Sequence, residues 1–313
     1  EPIEFDMKNY LIILMIGQLF AIPGFPGFNA WTSSSRLSMA GAGLLIKIPT
    51  AASGNPATLS INRLFSTSFV HYPAGINSQA VAIVFPKFDG GITCALRRLS
   101  YGIFEGLDEN AIPTGHYISS DTWISAGYSK QLKNYPISYG FTGGFFYSNL
   151  DSHLATALYF SSGMIWYWKE QGFSLGLSVD NMGFILQSID GSIDLLETTE
   201  NKDTLPVKIS LAITKQLAHL PLTLSIDGVH SLYKDYNDIF IGGIFQLPYD
   251  INLQWGTSTR KLDQNIRHDI WRSILGATGF GLNFNVGSTK TGIGTYFYGI
   301  GGWVTGLDLS VRF

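Results

Sequence analysis

The chain ends Trp303-Val304-Thr305-Gly306-Leu307-Asp308-Leu309-Ser310-Val311-Arg312-Phe313, and this stretch decides how the rest is read. Strand side chains alternate in direction, so Trp303, Thr305, Leu307, Leu309, Val311 and Phe313 share one face, and Val304, Gly306, Asp308, Ser310 and Arg312 the other. One face is greasy and the other mostly polar. About ten residues of strand tilted by roughly 45° cross a bilayer. A half-buried strand of a soluble sandwich shows the same alternation, so the remainder of the chain must discriminate.

Composition favours the membrane. Charged residues make up 14% of the 313 residues and aromatics 14%, with 35 Gly. Ordinary soluble domains carry roughly 25% charged residues. Yet beyond the N-terminus no uncharged apolar run approaches the roughly 20 residues of a membrane helix. Few charges, many aromatics and glycines, and no spanning helix point to strands that spread their apolar residues one in two. The net charge of −3, with no basic patch interleaved with aromatics, gives no reason to expect a nucleic-acid partner. A single cysteine, Cys94, excludes an intrachain disulfide and reads as a small residue packed in a strand.

At the N-terminus, Met7 and Lys8 precede an apolar run over 11–22 and a Pro/Gly-rich stretch that closes at Ala30. This is the pattern of a secretory signal peptide, with Glu1 to Asp6 set aside as upstream residues and the mature chain expected to begin near Trp31. Residues 31–63 differ from everything after them. They hold Ser38-Met39-Ala40-Gly41-Ala42-Gly43 and then Asn55-Pro56-Ala57. Small residues allow close packing and Asn-Pro favours a turn, so the segment is expected to act as a hatch inside or beneath a barrel formed by 64–313.

From Leu64 onward the pattern is strand after strand. Phe173, Leu175, Leu177 and Val179 alternate with Ser174, Gly176, Ser178 and Asp180; Val207, Ile209, Leu211 and Ile213 alternate with Lys208, Ser210, Ala212 and Thr214. Fourteen strands are expected, near 64–72, 79–87, 91–101, 121–131, 137–148, 153–167, 172–180, 206–216, 220–230, 237–246, 251–259, 274–286, 292–299 and 303–313. Connections after even-numbered strands are all short, whereas the long ones, 102–120, 181–205 and 260–273, follow strands three, seven and eleven. Short periplasmic turns and longer outer loops are the rule for outer-membrane barrels, and a soluble sandwich has no reason to sort its loops by parity. The fold class is therefore all-β, an antiparallel transmembrane barrel of about fourteen strands with an N-terminal hatch, placed in the outer membrane among its lipids.

Catalytic chemistry finds little support. The six His are scattered without metal-ligand spacing. Gly172-Phe173-Ser174-Leu175-Gly176 matches a hydrolase elbow in letters, but it opens a regular strand rather than a strand-to-helix turn. The glycine pairs at 41–43, 279–281 and 292–294 open no helix and read as close packing rather than phosphate loops. No enzyme activity, cofactor or metal is expected.

The final strand with its terminal Phe313 resembles the C-terminal signature by which outer-membrane barrels are addressed to their assembly machinery. The hatch motif, Gly41, Gly43, Asn55 and Pro56, ahead of fourteen strands resembles the FadL-type barrels. Within these, the chain is most similar to the PorV/PorQ family of the type IX secretion system, its PorQ-like members above all. The motifs that carry this are Tyr101-Gly102, Asp108-Glu109-Asn110, Ser119-Ser120-Asp121, Tyr147-Ser148-Asn149-Leu150-Asp151-Ser152 and Gly176-Leu177-Ser178-Val179-Asp180-Asn181-Met182-Gly183. That resemblance implies a non-enzymatic role in secretion or surface attachment of cargo, beside PorZ-like, PorU-like and PorV-like partners. The rival reading is a FadL-type transporter of a hydrophobic small molecule. It requires an apolar channel that inward Gly, Ser, Thr and Asn do not suggest. A soluble exported β protein is the third. For a secretion partner, the expected contact is the outer loop over 181–205 with 102–120 beside it, where Phe184 and Ile189 supply apolar contact and Asp190, Asp194 and Glu197 orient the encounter.

Overall fold

The computed structural model describes residues 25–47, 54–58, 62–107, 110, 112–150, 153–188, 204–232, 236–262 and 274–313. Among these, fourteen strands run in chain order: Leu64–His71 (β1), Asn77–Lys87 (β2), Gly90–Leu107 (β3), Pro113–Gln131 (β4), Ile137–Leu150 (β5), His153–Trp168 (β6), Phe173–Gln187 (β7), Lys208–Gln216 (β8), Leu222–Ser231 (β9), Tyr236–Leu247 (β10), Ile251–Ser258 (β11), Thr278–Val286 (β12), Thr289–Phe297 (β13) and Trp303–Arg312 (β14). Each pairs antiparallel with its neighbours in sequence. β14 returns to β1, from Leu64 opposite Arg312 to His71 opposite Thr305, and closes the barrel. Closure leaves no sheet edge, which is what lets a sheet sit in hydrocarbon.

The alternation read from β14 holds in space. Trp303, Leu307 and Leu309 face outward, while Val304 and Gly306 are buried on the inside. The same outward rule places Phe65 and Phe69 of β1, Leu211 and Ile213 of β8, Ile239 and Ile241 of β10, and Phe280 and Leu282 of β12 on the outer surface. A band of apolar side chains around a closed barrel is the surface of a membrane-spanning protein. Cys94 of β3 belongs to this outer face. Phe88, Tyr135 and Tyr249 stand at the short turns, beside the stacked pair Trp166 and Trp168, whose ring centroids lie 5.3 Å apart. Aromatics at that height anchor a barrel at the membrane interface.

Connections after even-numbered strands are short, 88–89, 132–136, 169–172, 217–221, 248–250 and 287–288. Two of the three long outer connections are shorter than the sequence pattern suggests. β3 runs on to Leu107 and β4 begins at Pro113, so most of 102–120 is a strand hairpin, and β7 continues to Gln187. The alternation fails there for a structural reason. A register shift between Ser100 and Gly102, with Gly102 at φ 104°, breaks the period in β3. In β7 the corresponding break comes at Asn181, φ 61°, opposite a shift between Phe160 and Ser162. Beyond these bulges the ladder continues with polar and glycine residues that carry no apolar pattern.

Of the stretch 1–30 expected to hold upstream residues and leader, residues 1–24 lie outside the described residues. The start expected near Trp31 falls within a packed stretch, since Phe25 and Phe28 are already buried in the barrel interior against Trp123, Phe146 and Tyr159.

Candidate functional site

The interior is occupied by the N-terminal segment. Ser33 caps a short helix, Ser34–Ser38 (α1), by accepting from Arg36 N at 3.3 Å, and every residue of α1 is buried. The Asp308 carboxylate of β14 accepts the free amides at its start, Ser34 N at 2.9 Å and Ser35 N at 3.3 Å. These are two of the donors that a helix N-terminus cannot satisfy internally. After α1 the chain reverses. Ala40 N donates to Leu37 O at 2.9 Å and Gly41 N to Arg36 O at 2.8 Å, with Gly41 at φ 94° and Gly43 at φ 86°. A Cβ at Gly41 would also sit 2.6 Å from the Trp31 ring and 2.9 Å from Phe240. Both space and backbone sign therefore demand glycine. Asp227 of β9 fixes the next residue, accepting Leu44 N at 2.8 Å.

A second contact is made by Asn55. Its side-chain amide donates to two wall carbonyls, Leu177 O of β7 at 2.9 Å and Met164 O of β6 at 3.2 Å, while its Oδ1 accepts from Ala57 N at 2.9 Å. Pro56 opens the 3-10 turn Pro56–Thr58, which lies against the wall at Gly140 and Gly163. Of the four motif residues, Gly41, Asn55 and Pro56 lie against the barrel wall in two separate places, while a Cβ at Gly43 would meet Met39 and Ile46 of the segment itself.

The other half of that seat was only partly visible in the sequence, where the pairs 279–281 and 292–294 read as close packing without a partner. Gly242, Gly256 and Gly279 stand opposite one another across β10, β11 and β12, and Gly281, Gly294 and Gly306 do so across β12, β13 and β14. Side chains at Gly256, Gly279 and Gly294 would overlap the backbone of 34–40, at Met39 O, Leu37 O and Ser34 O respectively. Two rows of bare backbone let α1 lie flush on the sheet.

Above α1, towards the end with the longer connections, a cavity of about 80 Å³ remains. Phe28, Trp31, Tyr159, Tyr236 and Phe240 supply its aromatic wall, and Arg36, Arg97, Asp180, Lys208 and Arg260 its charges. A water needs roughly 10–15 Å³ by this measure, so the space suits several waters or one small organic molecule. Arg260 is held by Asp238 at 2.8 Å. Arg97, 5% exposed, lies over Trp123 with its Cζ 3.7 Å from the ring centroid. Arg36, 2% exposed, donates Nη1 to Gly41 O at 3.2 Å and Ala42 O at 3.3 Å. Burial lowers its pKa from the usual arginine value, against the opposing fields of Asp227 and Asp180.

The sequence reading expected small polar residues throughout the interior. The structure adds an aromatic cluster, Phe25, Phe28, Trp123, Phe146 and Tyr159, with Phe28 and Tyr159 edge-to-face at 5.4 Å. Two of these five residues, Phe25 and Phe28, come from the stretch assigned to the leader, which is why the pattern of the strands alone did not reveal the cluster. Of the expected partner-contact residues, Phe184 lies on β7 and is exposed, and Ile189, Asp190, Asp194 and Glu197 lie outside the described residues. Phe313 follows β14 at the short-turn end and is exposed.

No protein-family model and no curated protein matches the sequence. Solved structures do match. The chain is similar to the Pseudomonas putida toluene transporter TodX, with TM-score 0.58 and 13% identity over 94% of this chain and 98% of that one. A TodX monoaromatic hydrocarbon channel deltaS2 mutant gives 0.58 and 13% over 90% and 98%. A Pseudomonas aeruginosa FadL homologue gives 0.51 and 12% over 90% and 98%. These likenesses define the architecture: a closed fourteen-strand outer-membrane-type barrel. More narrowly, its fold is similar to that of these FadL-type structures.

Proposed function

We propose that this is a non-enzymatic outer-membrane transporter of FadL type, whose N-terminal segment is the hatch and whose cargo is a small hydrophobic molecule. The observation that carries the reading is the aromatic-walled cavity seated directly on the segment that fills the barrel. A permanent structural plug has no need of an aromatic cavity above it, whereas a pocket that is concave, mostly apolar and set with a few polar groups suits a small ligand. The neighbours named as a toluene transporter and a hydrocarbon channel support the same choice over secretion. The test is uptake of one-ring hydrophobic compounds by cells that carry the barrel, against cells that lack it. Faster, saturable uptake is expected; equal uptake with the barrel folded in the membrane refutes the proposal.

A second reading, a PorQ-like role in type IX secretion beside PorZ-like, PorU-like and PorV-like partners, keeps one supporting observation. The β3–β4 hairpin rises past its bulge with Ile103 (72% exposed), Ile112 and Ile118 in the open, around the stacked pair Phe104 and Tyr117. Exposed apolar surface of this kind suits a protein partner. Replacing 188–203 by a short Gly/Ser turn, or Ile103 and Ile118 by Ser, would then abolish co-purification of a surface partner. Wild-type recovery with both variants removes the reading.

A further inference from the structure

At the short-turn end of the barrel a second cavity, of about 340 Å³, lies between the N-terminal segment and the wall. Lys47 of the segment, Lys290 of β13 and Arg312 of β14 line it, with Asn285, Ser288 and Ser310. We propose that this mouth binds a small polar solute bearing a phosphate, whose oxyanion bridges Lys47 of the segment to Lys290 and Arg312 of the wall. The ligand is unlike a hydrophobic cargo, and the inference stands apart from the transporter reading.

Three cations converge there without a counter-charge. Lys290 stands opposite Ser310, two residues before Arg312 on the same face of β14, and Arg312 stands opposite Leu64 of β1. Such diagonal positions on neighbouring strands are roughly 7–8 Å apart, within reach of long side chains, so the two like charges repel. No ion pair within 4.0 Å and no side-chain hydrogen bond engages Lys47, Lys290 or Arg312 among the described residues. Asp308, next inward from Ser310 on that face of β14, already accepts Ser34 N at 2.9 Å and Ser35 N at 3.3 Å. The carboxylate that follows Arg312 on Phe313 forms no ion pair with it within 4.0 Å.

The surrounding sequence supplies no further acid. From Met7 to Phe88 there is no Asp or Glu, so the segment, β1 and β2 carry cations alone, and from Ile270 to Phe313 the only acid is Asp308. A cleft lined by one sign of charge focuses its field outward and concentrates ions of the other sign. The mouth is therefore an anion site by charge, built from the segment on one side and the wall on the other.

Phosphate fits it better than carboxylate. A phosphate monoester carries about −1.5 to −2 charge near neutral pH and three acceptor oxygens, enough to meet three cationic groups, whereas one carboxylate brings a single charge. The body of the ligand must be polar, because Leu64 is the single apolar side chain on a lining otherwise made of amides, hydroxyls, cations and a glycine. Its volume falls in the range of about 300–1,000 Å³ typical of small-molecule sites.

The test uses the detergent-purified full chain and isothermal titration calorimetry, with glycerol 3-phosphate, glycerate, glycerol and pentaglutamate as probes. Glycerol 3-phosphate is expected to bind saturably, with glycerate and glycerol each at least about tenfold weaker. Lys290→Gln and, separately, Lys47→Gln should each weaken glycerol 3-phosphate about tenfold. Lys133→Gln, on an exposed side chain in the β4–β5 turn, is the control and should bind as wild type. Heat-modifiable mobility on gels shows that each variant is folded, as expected for side chains that hold no partner. Glycerate binding as tightly as glycerol 3-phosphate overturns the phosphate, and pentaglutamate binding more tightly overturns the small solute in favour of an acidic protein segment. Wild-type affinity in Lys47→Gln overturns the bridge to the segment. Equal weakening in Lys133→Gln, or no binding of glycerol 3-phosphate at all, overturns the site. Uptake of hydrophobic compounds by cells tests the transporter reading separately, so the failure of either is told from the other.

Discussion

Replacing Asp308 by Ala removes the acceptor of two hydrogen bonds, from Ser34 N and Ser35 N, and leaves both amides buried at the start of α1. A hydrogen bond to a charged acceptor contributes about 1.5–3 kcal/mol. Taking the lower value for each, because the bonds share one carboxylate and one measures 3.3 Å, the segment loses about 3 kcal/mol of its seating. That corresponds to roughly a hundredfold in the equilibrium for local opening. The barrel should not feel it, since the ladder of β14 with β13 and β1 is formed by backbone groups alone. Hydrogen exchange read by mass spectrometry on a peptide covering 33–44 should accelerate roughly a hundredfold in Asp308→Ala, and peptides from β12 and β13 should be unchanged. Asp308→Asn keeps a neutral acceptor and should fall between. Unchanged exchange over 33–44 in Asp308→Ala would show that the carboxylate does not hold the segment, and the reasoning would fail.

Gly279→Val places a branched side chain against Leu37 O and Ser38 O, so it should unseat α1 at a cost of about 1–3 kcal/mol; a lowered melting temperature with normal barrel heat-modifiability is expected. Asn55→Ala removes two bonds to the β6 and β7 carbonyls and should raise exchange at 55–58 without changing that at 34–38, because the two seats are separate. Deletion of Phe313 is expected to reduce the folded barrel in the membrane, measured by heat-modifiable mobility of membrane fractions; wild-type levels would refute its role in assembly. Edman sequencing of the mature protein is expected to begin ahead of Phe25, because Phe25 and Phe28 complete the aromatic cluster with Trp123 and Phe146; a start at Trp31 would show that the cluster forms without them.

The barrel was legible because membrane strands repeat one pattern, and β14 alone displays it: outward Trp303, Leu307 and Leu309 against inward Val304 and Gly306. Loop parity separated the short-turn end of the barrel from the end with the longer connections. The extensions of β3, β4 and β7 were not legible, since beyond the membrane a strand has no need of alternating apolar residues and its bulges at Gly102 and Asn181 reset the period. The seat was half legible. Asn55-Pro56 and the 41–43 glycines stand out as local motifs, but the facing rows Gly242, Gly256, Gly279 and Gly281, Gly294, Gly306 exist only once register is known. The cavity charges come from β3, β7, β8, the stretch after β11 and α1, spread from Arg36 to Arg260 with no spacing to betray them. The one available signal was their rarity: in a chain with so few charges, Arg97, Asp180 and Lys208 are among the few charged residues at inward positions of the strands, beside Asp121, Asp227, Asp238 and Asp308.

The central claim is a barrel whose lumen is closed by its own N-terminal segment, and ion conductance across a planar bilayer tests it most directly. The full chain should give little steady conductance, and a chain with residues 1–24 retained but 25–58 removed should give a large, stable one. Equal conductance from both, with both folded by heat-modifiable mobility, would contradict the account.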